Sequence, residues 1–126
     1  MRVAYVDTSC LVAIAFGEPN ASVLARKLEG FDELVSSNLL GAELWASFAR
    51  EEVGPDARLL SWISWVLPDR PLSQEIGQAL AVGYLGGPDL WHLACALYLV
   101  ETPREISFIT LDDRQRSVAE GLGFPT

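Results

Sequence analysis

With 126 residues, half of them hydrophobic, the chain is expected to form one domain, residues 1–126, with a single substantial core. A net charge of −8, from 17 acidic and 9 basic residues, argues against nonspecific affinity for nucleic acid, because that affinity comes from Lys and Arg neutralising phosphates. It leaves room for a metal-dependent nuclease, in which divalent cations supply the phosphate-binding charge.

The N-terminus lacks the basic region and apolar core of a signal peptide, and no apolar run approaches the length of a membrane span. Cytoplasmic residence without a membrane partner is the expectation. Cys10 and Cys95 lie in apolar helical patterns with no second Cys or His at metal-ligand spacing, and both read as free core thiols. The basic set is mostly arginine, with Lys27 the only lysine, which hints at bidentate contacts to phosphate or carboxylate.

The run Val3-Ala4-Tyr5-Val6 is apolar and partly β-branched, so it reads as a buried strand of a parallel sheet, and the apolar stretch from Cys10 to Phe16 as a helix. Between them stand Asp7, Thr8 and Ser9. Asp7 falls at the carboxyl end of a core strand, where open α/β sheets bind ligands; a cap on the following helix explains it equally well. Gly17-Glu18-Pro19-Asn20 breaks this helix, Asn20 is expected to cap a second one from Ala21, and Gly30 ends it. Leu34-Val35-Ser36 reads as a second strand.

Ser37 or Asn38 then caps a helix from about Leu39 to Glu52 that is apolar around most of its circumference. Its narrow polar stripe holds Glu43, Ser47 and Arg50, so Glu43 either faces solvent beside Arg50 or lines a polar site. From Gly54-Pro55-Asp56 the apolar positions Leu59, Leu60, Trp62, Ile63 and Val66 recur with helical period and predict a further helix. Four tryptophans in so small a chain leave room for an exposed apolar patch that binds a partner. Ser73 is expected to cap a helix to about Tyr84, which Gly86-Gly87-Pro88 stops.

The stretch from Pro88 to Val100 is the most apolar helix of the chain and must be central. Asp89 and His92 share one of its faces at i and i+3. Read locally, Asp89 suits the positive end of the helix dipole and His92 a satisfied core histidine. Ile106 to Thr110 is another strand, and Asp112 or Asp113 opens a last helix that ends at Gly121. Each acidic residue has its own local explanation. Their recurrence, at two strand ends, at one buried helix start and within one otherwise apolar helix, argues for a single converging acidic site.

In this order the pieces Tyr5-Val6-Asp7-Thr8-Ser9, Glu43-Leu44, Asp89-Leu90-Trp91-His92-Leu93-Ala94 and Phe108-Ile109-Thr110-Leu111-Asp112 resemble the PIN domain family, and within it the VapC-type toxins of toxin–antitoxin pairs. The resemblance spans nearly the whole chain. It implies an α/β class fold, three layers α/β/α around a central parallel sheet, with metal-dependent endoribonuclease activity. It further implies Mg²⁺ or Mn²⁺ as cofactor, an RNA substrate, a cognate antitoxin and a homodimer. By position, Asp7, Glu43, Asp89 and Asp112 match the family's acidic quartet and Thr110 its hydroxyl. One departure is Gly86-Gly87-Pro88 before Asp89, where the family often has an Arg; a phosphate contact from this loop is not expected here.

On that resemblance, Asp7 and Asp89 are assigned as principal metal ligands and Asp112 as a ligand directly or through water. Glu43 is assigned to orient a metal-bound water. Thr8 and Thr110 are supporting hydroxyls, and Arg114 and Arg116 are candidates for contacts to the RNA backbone. Asp113 competes with Asp112, but the position directly after Thr110-Leu111 favours Asp112. A haloacid-dehalogenase-type phosphatase and a receiver domain fit worse, since Ser9 stands where the former needs a second aspartate and only Lys27 is available as a lysine. An RNA-processing PIN nuclease without an antitoxin, or a PIN-like binding module without catalysis, remain as alternatives.

Overall fold

Residues of the first strand alternate between two interiors. In β1 (Val3–Val6), Tyr5 packs into one apolar cluster, and Ala4 and Val6 into another, as the period of a strand requires when both faces of its sheet are covered. The same division recurs in β4 (Ser107–Ile109), where Phe108 joins Tyr5 and Ile109 joins Val6. Both runs are therefore apolar without alternation.

The computed structural model describes residues 1–126. Besides β1 and β4 it contains β2 (Glu33–Ser37) and β3 (Ile63–Val66), and all four strands form one parallel sheet in the order β3-β2-β1-β4. Helices α1 (Thr8–Ala15), α2 (Ala21–Glu29) and α3 (Leu39–Arg50) pack with the Ala4, Val6 and Leu40 side. Helices α4 (Ser73–Val82), α5 (Gly87–Leu99) and α6 (Asp113–Leu122) pack with the Tyr5 side. The result is the three-layer α/β/α architecture expected from the sequence. No helix is long and apolar enough to cross a membrane.

The site is placed by topology. β1 is central, and the chain leaves it towards β2 on one side while β4 arrives on the other, so the carboxyl ends of β1 and β4 flank the point where strand order reverses. A crevice opens there in sheets of this kind. Asp7 follows β1 directly, and Thr110 follows β4. Ser36, one strand over, is fully buried and donates its hydroxyl to the Val6 carbonyl at 2.8 Å, tying the ends of β1 and β2 together.

One expected element is different. The helix predicted from Gly54-Pro55-Asp56 through Val66 is a short 3₁₀ helix, Ala57–Trp62, capped by Asp56 and followed by β3. Ile63 and Val66 are buried while Ser64 and Trp65 are not, a pattern of four residues that a helix fits equally well; pairing with β2 decides in favour of the strand. Two caps also differ. Asn20 has left-handed backbone and makes no side-chain cap, and Ser73 is the first residue of α4 rather than its cap. Cys10 and Cys95 are buried, free thiols, and burial pushes Cys10 up to about 12 and Cys95 up to about 11.

Candidate active site

Asp7 is placed by the end of β1 and held on both oxygens. Its Oδ2 accepts the Ser9 N–H at 3.0 Å, which caps α1, and its Oδ1 accepts the Gln115 side-chain amide at 3.1 Å. Capping and site-lining are thus not alternatives for this residue. Asp112 repeats the arrangement: its Oδ1 caps α6 by accepting the Gln115 N–H at 2.7 Å, and its own N–H is donated to Thr110 Oγ1 at 3.1 Å. Both carboxylates are fixed by the turns in which they sit.

Asp7, Glu43, Asp89 and Asp112 line one cavity of about 550 Å³, together with the hydroxyls of Thr8, Ser9 and Ser47 and the guanidinium of Arg50. They arrive from four separate places: the end of β1, the first half of α3, the start of α5 and the cap of α6. Glu43, Ser47 and Arg50 all line it, so the polar stripe of α3 faces the site rather than bulk solvent alone. Asp113, the rival of Asp112, has a side chain 95% exposed and pairs with Arg116 at 2.6 Å. It does not line the cavity.

The carboxylates feel one another. Burial, then the charges of Asp7 and Asp112, raise the Asp89 carboxyl above the ordinary aspartate range. Glu43 goes the other way: burial pushes it up, but the hydrogen bonds from His92 and Thr8 outweigh burial and hold it below the usual range. Thr8 Oγ1 donates to Glu43 Oε1 at 2.8 Å, and His92 Nε2 lies 2.7 Å from the same oxygen.

The supporting residues divide. Thr8 serves Glu43 rather than the aspartates. Thr110 Oγ1 donates to Gln115 Oε1 at 2.6 Å and accepts from Asp112, so it fixes the turn that carries Asp112. Arg116 gives one nitrogen to Asp113 and another to the Thr110 carbonyl at 2.7 Å. Arg114 is exposed, makes no ion pair, and borders a separate hollow with Tyr84 and Ser117. Arg50 is the cation that lines the carboxylate cavity; its only ion pair, to Glu51 at 3.4 Å, leaves the side chain 72% exposed.

Two residues escaped the sequence reading as members of the site. Gln115 is fully buried and touches Asp7, Thr110 and the Asp89 carbonyl. The signal for it was present, since Asp112 followed three residues later by Gln is the spacing of a capping box. His92, read as a core histidine, is fully buried and also contacts Glu43; its i+3 spacing from Asp89 was the clue.

No group of three or more His, Cys, Asp or Glu side chains is placed to hold a metal ion by itself. The donor set nonetheless suits a hard divalent cation completed by water. The cavity offers carboxylates and hydroxyls and no sulfur or imidazole nitrogen, and the burial and like charges that raise Asp89 are of the kind that a divalent ion would offset.

A family model described as the PIN domain matches residues 4–121. Neither the curated proteins nor the solved structures give a match.

Proposed function

The chain belongs to the PIN domain family, whose members are usually nucleases, and from that premise we propose that it is a metal-dependent endoribonuclease, the toxin of a VapBC-type toxin–antitoxin pair. The observation that supports the reading is the meeting of Asp7, Glu43, Asp89 and Asp112, from four places in the fold, on one open cavity. The carboxylate set is complete, which favours an enzyme over a binding module that has lost catalysis.

In this reading Asp7, Asp89 and Asp112 hold Mg²⁺ or Mn²⁺ together with water. When bound, such an ion would supply charge compensation at the phosphate and activation of water. Glu43 would orient the attacking water through Oε2, which is free of protein hydrogen bonds, while Oε1 is held by Thr8 and approached by His92. Thr110 and Gln115 keep Asp7 and Asp112 in register. Arg50 takes the phosphate contact that the Gly86-Gly87-Pro88 loop lacks, and Arg114 meets the backbone further along.

The toxin reading adds partners. Trp45, Trp62 and Trp65 are 39%, 46% and 41% exposed, and Trp62 borders a hollow of about 420 Å³ with Leu28, Phe31 and Leu34 whose rim carries Glu29, Asp32 and Glu33. An apolar floor with an acidic rim suits a basic amphipathic antitoxin helix; a second copy of the chain is the other expected partner. The nuclease reading is tested by incubating the purified chain with labelled RNA, in Mg²⁺ or Mn²⁺ and in excess chelator. Cleavage in either metal alone is expected. Cleavage undiminished by chelator, or none in either metal, overturns it.

A further inference from the structure

We propose that His92 is a positioning residue for Glu43, held by Tyr5 so that its Nε2–H is aimed at the Glu43 carboxylate. What Glu43 does rests on the ribonuclease reading above; the coupling of Tyr5, His92 and Glu43 is a property of the folded chain.

The bonds run in one direction. The backbone N–H of Ser37 donates to Tyr5 Oη at 3.0 Å, and Tyr5 Oη lies 2.8 Å from His92 Nδ1. The phenol ring is stacked on Phe108, with centroids 5.3 Å apart and planes within 5°, so it is not free to turn away. A hydroxyl that already accepts from Ser37 has its own proton to give, and Nδ1 is the acceptor in reach. An imidazole that accepts at Nδ1 and is neutral carries its hydrogen on Nε2.

That hydrogen faces Glu43 Oε1 at 2.7 Å, with Thr8 Oγ1 at 3.2 Å. Thr8 gives its own proton to the same Oε1. The opposite tautomer sets a bare Nε2 lone pair against a carboxylate oxygen and turns Nδ1 from an acceptor of the Tyr5 proton into a second donor to Tyr5 Oη. With the hydrogen on Nε2, Tyr5, His92 and Glu43 are satisfied in one chain of donors, and Asp7 Oδ1 stands 3.9 Å from the same Nε2. The consequence is a carboxylate anchored through Oε1, with Oε2 left to the substrate side.

A core histidine with no further role predicts something else: any residue that fills the space should serve. Glutamine places an amide N–H near the position of Nε2, whereas asparagine places its carbonyl near Nδ1 and cannot reach Glu43. The two variants therefore separate contact with Glu43 from contact with Tyr5.

His92 is the only histidine in the chain, so nitrogen NMR of the full protein with labelled histidine reads its tautomer without an assignment problem. The expected spectrum has a protonated Nε2 and an unprotonated Nδ1, and Glu43→Gln should shift the Nε2 signal. In RNA cleavage, His92→Asn is expected to lower kcat by ~10- to 100-fold at little changed KM, the usual cost of losing an outer partner of a site residue. His92→Gln should stay within a few-fold of the wild-type protein. A proton found on Nδ1, or equal kcat in both variants, overturns the proposal. Wild-type protein that cleaves no RNA overturns the ribonuclease reading instead, and the tautomer and its response to Glu43→Gln still decide the coupling.

Discussion

The side-chain amide nitrogen of Gln115 donates to Asp7 Oδ1 at 3.1 Å, and the same nitrogen lies 3.2 Å from the Asp89 main-chain carbonyl. Its oxygen accepts the Thr110 hydroxyl at 2.6 Å. One fully buried neutral side chain thus joins the end of β1, the start of α5 and the turn after β4, without adding charge to a crowded acidic site.

Gln115→Leu keeps the volume but takes the donor from Asp7 Oδ1 and leaves the Thr110 hydroxyl proton only its long contacts to Asp7 Oδ2 and Ser9 Oγ, both 3.4 Å. The expected loss is ~1–3 kcal/mol, the cost of buried groups left unsatisfied. Gln115→Glu should be worse in the metal-free protein, since it sets a carboxylate against Asp7. Urea melts check both. A Leu variant as stable as the wild-type protein means that the clamp carries no stability.

Asp7→Asn and Asp89→Asn should each abolish RNA cleavage, by at least ~10²-fold, because removing a ligand forfeits several kcal/mol of charge compensation at the phosphate. Asn at position 7 still caps α1, so the fold should survive. Asp113→Asn, at an exposed position outside the cavity, should leave cleavage unchanged. Single-turnover cleavage assays with melting curves on the same preparations check all three. Full activity in either of the first two variants removes that residue from the site.

Three arginines should behave in three ways. Arg50→Ala should weaken RNA binding and lower the salt slope by roughly one counterion, with stability changed by less than about 0.5 kcal/mol. Arg114→Ala should have a smaller effect of the same kind. Arg116→Ala should instead destabilise, because Arg116 holds the Thr110 carbonyl and Asp113, and should leave the salt slope unchanged. Anisotropy titrations of labelled RNA in increasing salt decide this. An Arg50 variant with the wild-type slope leaves that side chain without a phosphate.

Much of the arrangement is legible in the sequence, because its signals are strong and local. Val3–Val6 at the centre of the sheet and Phe108-Ile109 at its edge are apolar because helices cover both faces; Asp7 follows the first run directly, and Asp112 stands two residues after Thr110. β3 was not legible: Ile63 and Val66 fit a helical period, and only pairing with β2 selects a strand. The polar stripe of α3 marked Glu43 and Arg50 but not which way it faced, since α1 and β2 set that orientation through long-range contacts. Gln115 was not singled out and His92 was read as a core residue because what they touch lies up to 108 residues away.

If Trp62 and Trp65 form part of a partner surface, Trp62→Arg and Trp65→Arg should reduce self-association or antitoxin capture while leaving RNA cleavage by the free chain intact. Light scattering of the wild-type protein, alone and coexpressed with any small reading frame found adjacent to its own, sets the reference. Unchanged association in both variants places the interface elsewhere.

The last expectation concerns pH in the metal-free protein. The Asp89 carboxyl is raised in the fold by burial and by Asp7 and Asp112, so between its unfolded and folded pKa values the native state holds more protons than the unfolded chain. Stability contributed by this group therefore falls as pH rises through that window and does not recover above it. Asp89→Asn removes the titration. The variant also loses a charge favoured at the start of α5, worth ~0.3–1 kcal/mol, so the absolute ranking is less informative than its drift. From about pH 3 to about pH 7, the stability of Asp89→Asn relative to the wild-type protein should improve, by a few tenths of a kcal/mol up to about 1, since the cavity opens on solvent that screens the repulsion. Saturating Mg²⁺ should reverse the drift at neutral pH, because the intact carboxylate set gains more from an ion bound to the native state. Denaturant melts of both proteins across pH, with chelator and with Mg²⁺, read the difference directly. A gap that stays constant with pH and with metal makes Asp89 a helix-start residue alone and leaves the ion to the remaining carboxylates.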